Sequence, residues 1–133
     1  MALLIAGPAL TAVAQTGSHG PEVQSFLELM HHEEDELEYQ IKHDEISRQE
    51  YLRSKNRIAI HRQTVLNIVS QRRQDSVPEI HVVVAEEIEQ LIEGGLDAVK
   101  GLKRGDSIGE KWRYLGTALR SETFYIFERL KVK

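Results

Sequence analysis

The feature that most constrains the fold is a helix-start signal at Ser47, which stands between two amphipathic segments of opposite charge. Glu50 follows Ser47 by three residues, and in such a capping box each side chain binds the backbone N–H of the other residue. Ile46 and Tyr51 flank the pair at the spacing of a hydrophobic staple, which fixes the angle at which the chain enters the helix. We therefore expect two helices that meet at this signal and fold back on each other.

Apolar residues recur every three or four positions on both sides of the signal, as on one face of an amphipathic helix. In the first segment, residues 21–43, they are Val23, Phe26, Leu27, Met30, Leu37 and Ile41. In the second segment, residues 48–74, they are Tyr51, Leu52, Ile58, Ala59, Val65, Leu66 and Val69. Because a lone pair of helices is rarely stable in water, both apolar faces should also bury against the C-terminal half.

The two segments carry opposite charge. Residues 21–45 contain nine acidic residues and one basic residue, for a net charge of −8, whereas residues 46–75 contain seven basic and two acidic residues, for +5. In an antiparallel hairpin the acids of the first helix would flank the bases of the second, with Met30 near Arg62. Such surface pairs contribute about 0–1 kcal/mol each, so we expect them to set the register of the hairpin more than its stability.

Residues 80–84 begin the C-terminal half and are rich in β-branched side chains, which favour a strand. Glu86 and Glu87 suit the first turn of a helix that starts near residue 85 and ends at Gly94 and Gly95. The alternative is a single helix over residues 79–93. We expect the strand followed by the helix.

Two further strands are predicted at residues 111–119 and 123–130, joined by a turn at residues 120–122 and preceded by a loop over residues 96–109. Residues 124–127 are continuously apolar, which is typical of a strand buried on both faces.

The predicted fold class is therefore α+β, with an N-terminal antiparallel helical hairpin packed on a small C-terminal antiparallel β-sheet that carries one short helix. At this length we expect a single domain over residues 21–133. The hairpin would take residues 21–74, and the strand–helix–β-hairpin unit would take residues 78–133.

Residues 1–14 have the composition of a secretory signal peptide. They contain no charged side chain and are mostly apolar, but they are too short to span a bilayer, which takes about 20 apolar residues. Ala12 and Ala14 form the small-x-small pattern that signal peptidase cuts after, although no Lys or Arg precedes the apolar stretch. We expect cleavage before Gln15, a flexible tail over residues 15–20 and export to the periplasm or medium. The alternative is an ordinary buried or membrane-surface helix.

Residues 105–109 match G-x-S-x-G, the nucleophile-elbow pattern of hydrolases. An elbow needs a strand–turn–helix context and a histidine later in the chain, whereas the last histidine is His81 and the following residues favour a strand. Arg104, Gly105 and Asp106 also form a tripeptide used by some adhesion ligands, although Gly-Asp is common in turns. We interpret the segment as a glycine-bounded turn and predict no catalytic residue.

The first helix carries the richest group of ligand-type side chains. Glu28 and His31 have the spacing found in diiron carboxylate helices, and His32 and Glu36 lie on one helix face. A diiron site needs matching ligands from four long helices, which this chain does not supply. The sequence predicts a weak divalent-metal site on His31, His32 and Glu36 as the alternative to a solvated, salt-bridged face.

Composition excludes several kinds of function. The chain has no cysteine, which rules out disulfides, thiolate nucleophiles and zinc–cysteine sites. The net charge of −4 disfavours nucleic acid as a partner, and we expect no cofactor and no membrane span after signal cleavage. The leading hypothesis is a small exported, non-enzymatic interaction or structural module of the cell envelope with an unknown protein partner. The alternative is a divalent-metal or small-ligand-binding protein that uses the His/Glu-rich face of the first helix.

Overall fold

The computed structural model describes residues 19–131, which form two long helices, a four-stranded antiparallel sheet and shorter helical turns. The helices are α1 (Pro21–Lys42), α2 (Arg48–Arg72) and α3 (Gly95–Val99), with a 3₁₀ helix at Ala85–Gln90. The strands are β1 (Ile80–Val84), β2 (Ser107–Ile108), β3 (Trp112–Arg120) and β4 (Glu122–Arg129). The predicted α+β class, with a helical hairpin on an antiparallel sheet, is confirmed.

The turn between α1 and α2 contains the predicted capping box. The Glu50 N–H donates to Ser47 Oγ at 3.1 Å, and the Ser47 N–H donates to Glu50 Oε1 at 3.3 Å. Asp44, in the same turn, has a left-handed backbone with φ 54°, a conformation that Asp tolerates better than most residues. These features end one helix and start the next within the short connection between Lys42 and Arg48.

The start of α1 is capped by a residue that follows α2. The Asp75 carboxylate accepts hydrogen bonds from the N–H groups of Glu22 at 3.0 Å and Val23 at 2.9 Å, and the Glu22 carboxylate accepts from the Val77 N–H. A Cβ added to Gly20 would lie 2.4 Å from Cγ of Asp75. Gly20 therefore lets Asp75 approach the first N–H groups of the helix, and the loop after α2 is fastened to the start of α1.

The sheet has the strand order β1-β4-β3-β2, and both of its faces are covered. The hairpin packs on one face, where the core contains Phe26, Met30, Ile60, Val65, Ile68, Ile80, Val82, Val84, Phe124 and Ile126. The 3₁₀ helix and α3 lie on the other face, where the core contains Val83, Ile88, Ile92, Val99, Trp112, Tyr114 and Phe127. Because β4 is an inner strand buried on both sides, its apolar residues are continuous, as predicted.

A β-bulge at Leu115 shifts the alternation of β3 by one residue. The pairing of β3 with β4 changes register between Tyr114 and Gly116, which leaves Leu115 as the extra residue. Gly116 has φ +100°, a conformation that glycine adopts without the steric penalty of a Cβ. Tyr114 contacts the core beside α3, whereas Leu115 and Ala118 pack against the hairpin core.

The segment after β1 differs from the prediction. The expected helix is a 3₁₀ helix that ends at Gln90, and Gly94 and Gly95 precede and start the separate helix α3 instead of ending the first. Both glycines have positive φ, 93° and 60°, which allows the chain to reverse so that Ile92 and Val99 bury against the same face of the sheet. The single helix over residues 79–93 is wrong, because β1 occupies its first half.

Two smaller details were also missed. The expected loop over residues 96–109 contains α3 and the two-residue strand β2. On α2, Ile60 and Ile68 are buried, although the predicted apolar stripe omits them, while Leu52 and Ala59 of that stripe are exposed. The reason is that α2 contacts both α1 and the sheet. The side of α2 that is buried therefore differs from the apolar stripe predicted from periodicity.

The predicted signal peptide at residues 1–14 and most of the predicted tail at residues 15–20 lie outside the described residues. Within residues 19–131, no helix is both long enough and apolar enough to cross a membrane.

Candidate functional site

The outward face of α1 exposes two large apolar side chains. Leu29 and Tyr39 are each 52% exposed, and with His32, Glu36 and His43 they recur at alternating spacings of three and four residues, which places them on one side of the helix. The Tyr39 ring stacks on the His43 ring at 3.9 Å between centroids, and His43 Nδ1 contacts the Tyr39 carbonyl oxygen at 2.8 Å. The position of the Tyr39 ring is therefore restrained although the ring is exposed. We call this surface the α1 outer face.

Acidic side chains on and beside the α1 outer face have no partner among residues 19–131. Glu28, Glu33 and Glu36 are exposed, and none of them forms a hydrogen bond or salt bridge with another of the described residues. By contrast, Glu34 binds Arg62 of α2, and Glu38 accepts a 2.7 Å hydrogen bond from the Tyr51 hydroxyl. Glu34 and Glu38 are thus paired with α2, whereas Glu28, Glu33 and Glu36 are not paired with any residue in the described part of the chain.

The predicted metal ligands all lie on exposed positions of α1. His31 Nε2 is 3.5 Å from the Asp35 carboxylate, and His32 and Glu36 are exposed one turn apart on the outer face. Over residues 19–131, no three His, Asp or Glu side chains come together in a group that could hold a metal ion. A metal site on His31, His32 and Glu36 stays a prediction.

The bases of α2 bind two different parts of the molecule. Arg62 and Lys55 pair with Glu34 and Glu38 of α1, the latter at 3.7 Å, as the charge pattern predicts. Three other arginines turn toward the sheet, which the sequence did not predict: Arg53, Arg57 and Arg72 bind carboxylates of residues that follow β1 or belong to β4.

Arg53 and Arg57 hold the hairpin to the sheet through bidentate ion pairs. Arg53 donates to both oxygens of Glu122 at 2.8 and 2.7 Å, and this hydrogen bonding lowers the pKa of the Glu122 carboxyl. Arg57 donates to Glu87 at 2.9 and 3.3 Å. Burial alone would raise the pKa of Glu87, but the hydrogen bonds from Arg57 and from the Val84 N–H bring it below its usual value.

A third group of charges lies where the C-terminal end of α2 meets β3 and β4. Glu128 is a buried carboxylate, 5% exposed. Arg72 donates to its two oxygens at 2.8 and 2.9 Å, and Arg113 donates to Oε1 at 3.2 Å. The hydrogen bond to Glu128 raises the pKa of Arg72 despite partial burial. These three residues line two clefts with volumes of about 790 and 350 Å³.

The G-x-S-x-G segment, which the sequence predicted to be a turn, contains the two-residue strand β2 with turn residues on both sides, and it leads into β3. The Asp106 carboxylate accepts a 2.8 Å hydrogen bond from the Lys103 N–H, and the backbone of residues 105 and 106 pairs with Tyr114. Ser107 is exposed in β2, and β3 follows it where an elbow needs a helix. Ser107 therefore lacks the strand–turn–helix geometry of a nucleophile elbow.

His61 of α2 is a half-buried titratable group that contacts α1. Its ring meets the Phe26 ring edge-on at 5.3 Å between centroids. Burial lowers the pKa of His61, and the charge of His81 lowers it further. Protonation of His61 therefore opposes the packing of α1 on α2.

Two of these features were not predicted from the sequence, for different reasons. Leu29 and Tyr39 lie outside the predicted apolar stripe of the first segment, and an apolar residue on the polar side of an amphipathic helix is a signal that could have been used. Arg113 and Glu128 carry no such signal, because their meeting with Arg72 depends on the packing of α2 across the sheet.

Comparison with known proteins gave no matching family model. No curated protein is significantly similar to the chain, and no solved structure matches it.

Proposed function

We propose that this protein is a non-enzymatic interaction module that binds a basic protein segment through the α1 outer face. The observation that carries the proposal is the exposure of Leu29 and Tyr39, each 52%, among carboxylates that have no partner in the described fold. Large apolar side chains in contact with water, surrounded by polar residues, are typical of surfaces that bind another protein.

The negative charge at the α1 outer face indicates which kind of partner would bind there. Glu28, Glu33 and Glu36 surround the two apolar side chains, and their negative charge favours a partner with Lys or Arg around its own apolar residues. A second copy of the chain would bring like charges together on this face, which disfavours self-association. The occupant we propose is therefore an amphipathic helix of basic character.

The restrained Tyr39 ring supports the same proposal. Ordering a flexible side chain at an interface costs about 0.5–1.5 kcal/mol. Because Tyr39 already stacks on His43 at 3.9 Å, part of that ordering is present before a partner binds. An exposed but ordered aromatic residue is a favourable anchor for binding.

The test uses a fluorescent helical peptide with leucine at every third or fourth position and lysine beside each leucine. We expect it to bind the wild-type protein and to bind the Leu29→Gln/Tyr39→Gln variant about tenfold or more weakly, since the variant loses both anchors. Leu119→Gln is the matched control, because Leu119 is an exposed leucine, 72%, in the β3–β4 hairpin.

Three results would contradict the proposal. Equal affinity of the peptide for wild type and the double variant would show that the α1 outer face is not the docking surface. Equal binding of a peptide with glutamate in place of lysine would remove the role of charge. A dimer in sedimentation experiments that dissociates in the double variant would replace the basic partner with a second copy of the chain.

We also infer export of the module from the apolar composition of residues 1–14 and the small-x-small pattern at Ala12 and Ala14. The intact mass of the protein from fractionated cells tests this inference. A species that begins at Gln15 in the exported fraction is the expected result. A full-length species in the cytosolic fraction would contradict it and would direct the search for a basic partner to the cytosol.

A further inference from the structure

The smaller of the two clefts beside Glu128 lies between the C-terminal half of α2 and the facing parts of β3 and β4. Its volume of about 350 Å³ lies in the lower part of the range found for small-molecule sites. Its lining contains the apolar residues Ile68, Leu115 and Ile126, and it also contains Arg72, Arg104 and Arg113. An apolar portion next to three guanidinium groups suits a ligand with one apolar end and one anionic end.

The lining of this cleft contains three arginines and one carboxylate, so it carries a net positive charge. Glu128 neutralises one of them, and its bonds use two donors of Arg72 and one of Arg113. A guanidinium group has five N–H donors, so both arginines keep further donors. Arg104 is exposed and forms no hydrogen bond or salt bridge with any other residue of the described range. A ligand carboxylate or phosphate would balance this surplus.

Glu128 also holds the two arginines in place. The carboxylate is buried, 5% exposed, and binds both guanidinium groups from β4. Groups that are fixed before binding lose less entropy when a ligand arrives. The two-oxygen contact of Arg72 with Glu128, at 2.8 and 2.9 Å, is the contact that arginine makes with carboxylate and phosphate groups in general.

From these observations we propose that the cleft binds a small organic anion. Arg72, Arg104 and Arg113 contact its carboxylate or phosphate group, and Ile68, Leu115 and Ile126 contact its apolar part. Arg104 belongs to the Arg-Gly-Asp tripeptide in the turn before β2, so the turn brings a base to the cleft. This site is separate from the α1 outer face and does not depend on the function proposed for it.

The test follows the amide resonances of Ile68, Leu115 and Ile126 by NMR while ligand is added. We expect hexanoate or hexyl phosphate to shift them saturably, and the tighter of the two identifies the preferred anionic group. Inorganic phosphate, which lacks the apolar part, and 1-hexanol, which lacks the charge, should bind more weakly. Added sodium chloride should weaken hexanoate binding, because salt screens the attraction between the charges.

Arg104→Gln is the decisive variant, since Arg104 is exposed and its loss should not affect folding. We expect about tenfold weaker binding of the tighter anion. Arg48→Gln is the matched control, because Arg48 is an exposed arginine at the opposite end of α2. Equal affinity of wild type and Arg104→Gln, equal affinity for hexanoate and 1-hexanol, or the absence of saturable shifts with both anions would each overturn the proposal.

Discussion

Arg57 donates a 2.6 Å hydrogen bond to the carbonyl oxygen of Val82, and the same guanidinium group binds Glu87 at 2.9 Å. Glu87 in turn accepts a 2.9 Å hydrogen bond from the Val84 N–H. β1 is an edge strand, paired only with β4 among the described strands. The carbonyl oxygen of Glu79 accepts a hydrogen bond from the backbone N–H of Arg129 in β4. Because hydrogen-bonded and non-hydrogen-bonded residues alternate in an antiparallel pair, the backbone N–H and C=O groups of Val82 and Val84 point away from β4. Arg57 and Glu87 thus form hydrogen bonds with edge-strand backbone groups that could otherwise pair with another chain.

Replacing Arg57 should therefore destabilise the protein and expose the edge of the sheet. We expect Arg57→Met to lower the free energy of unfolding by about 1–3 kcal/mol, because it leaves the Val82 carbonyl without its side-chain donor and removes the Arg57 hydrogen bonds from Glu87. Urea titration measures the loss, and light scattering measures any aggregation through the edge. Arg48→Met, at an exposed position, should change stability by less than about 0.5 kcal/mol. Equal stability of the two variants would contradict the role of Arg57.

The cap that Asp75 forms on α1 gives a second prediction. Asp75→Ala removes the acceptor for the N–H groups of Glu22 and Val23, and we expect it to cost about 1 kcal/mol of stability. Asp97→Ala is the control, because Asp97 is 88% exposed and pairs only with Lys100 at 3.2 Å among the residues described. Thermal unfolding compares the two variants, and a loss as small for Asp75→Ala as for Asp97→Ala would show that the cap does not hold the loop to α1.

The lowered pKa of His61 predicts a pH dependence of stability. An unperturbed histidine titrates at about pH 6.5, so as the pH falls below this value the unfolded chain binds a proton that the folded protein does not. Stability should therefore decrease from about pH 6.5 downward and level off below the folded-state pKa. Urea unfolding between about pH 7.5 and 5.5 tests this. His61→Gln should show a flatter dependence than wild type, and an identical slope would assign the effect to other groups.

For divalent metals we expect no tight binding at His31 and His32. His31 and His32 are consecutive residues of one helix, so their side chains do not face each other, and no third His, Asp or Glu among residues 19–131 completes a group that could hold a metal ion. Calorimetric titration with Zn²⁺ should give the same weak signal for wild type and for the His31→Ala/His32→Ala variant. Stoichiometric binding that is lost in the variant would instead establish the metal site.

The parts of the fold that could be predicted from the sequence are those that depend on neighbouring residues. The capping box needs only Ser47 and Glu50, and the strands at residues 111–119 and 123–130 follow from local composition, so the structure agrees with them to within two residues. Asp75 caps a helix that begins more than 50 positions earlier. No local sequence pattern predicts a contact between residues so far apart in the chain, because the contact forms only after α1 and α2 have folded back on each other.

The candidate binding surfaces, too, could be predicted from the sequence only where they depend on neighbouring residues. The sequence located His31, His32 and Glu36 on one helix, and all three are exposed on α1, but it could not show that Leu29 is 52% exposed among the described residues. Whether an apolar side chain is buried depends on all the elements around it. The cleft that we propose as an anion site is lined by Arg72 and Glu128, which are 56 residues apart, and their contact exists only after α2 has packed on the sheet.

The bulge at Leu115 has a consequence for the gene that encodes this protein. An in-frame deletion of codon 115 would remove the extra residue and leave Thr117, Ala118 and Leu119 opposite the same residues of β4 as before. A deletion of one codon within β4, which pairs regularly with β1, would invert the faces of every side chain on one side of the deletion. Length variation among naturally occurring alleles should therefore be tolerated at codons 115 and 116 and be selected against at codons 122–129.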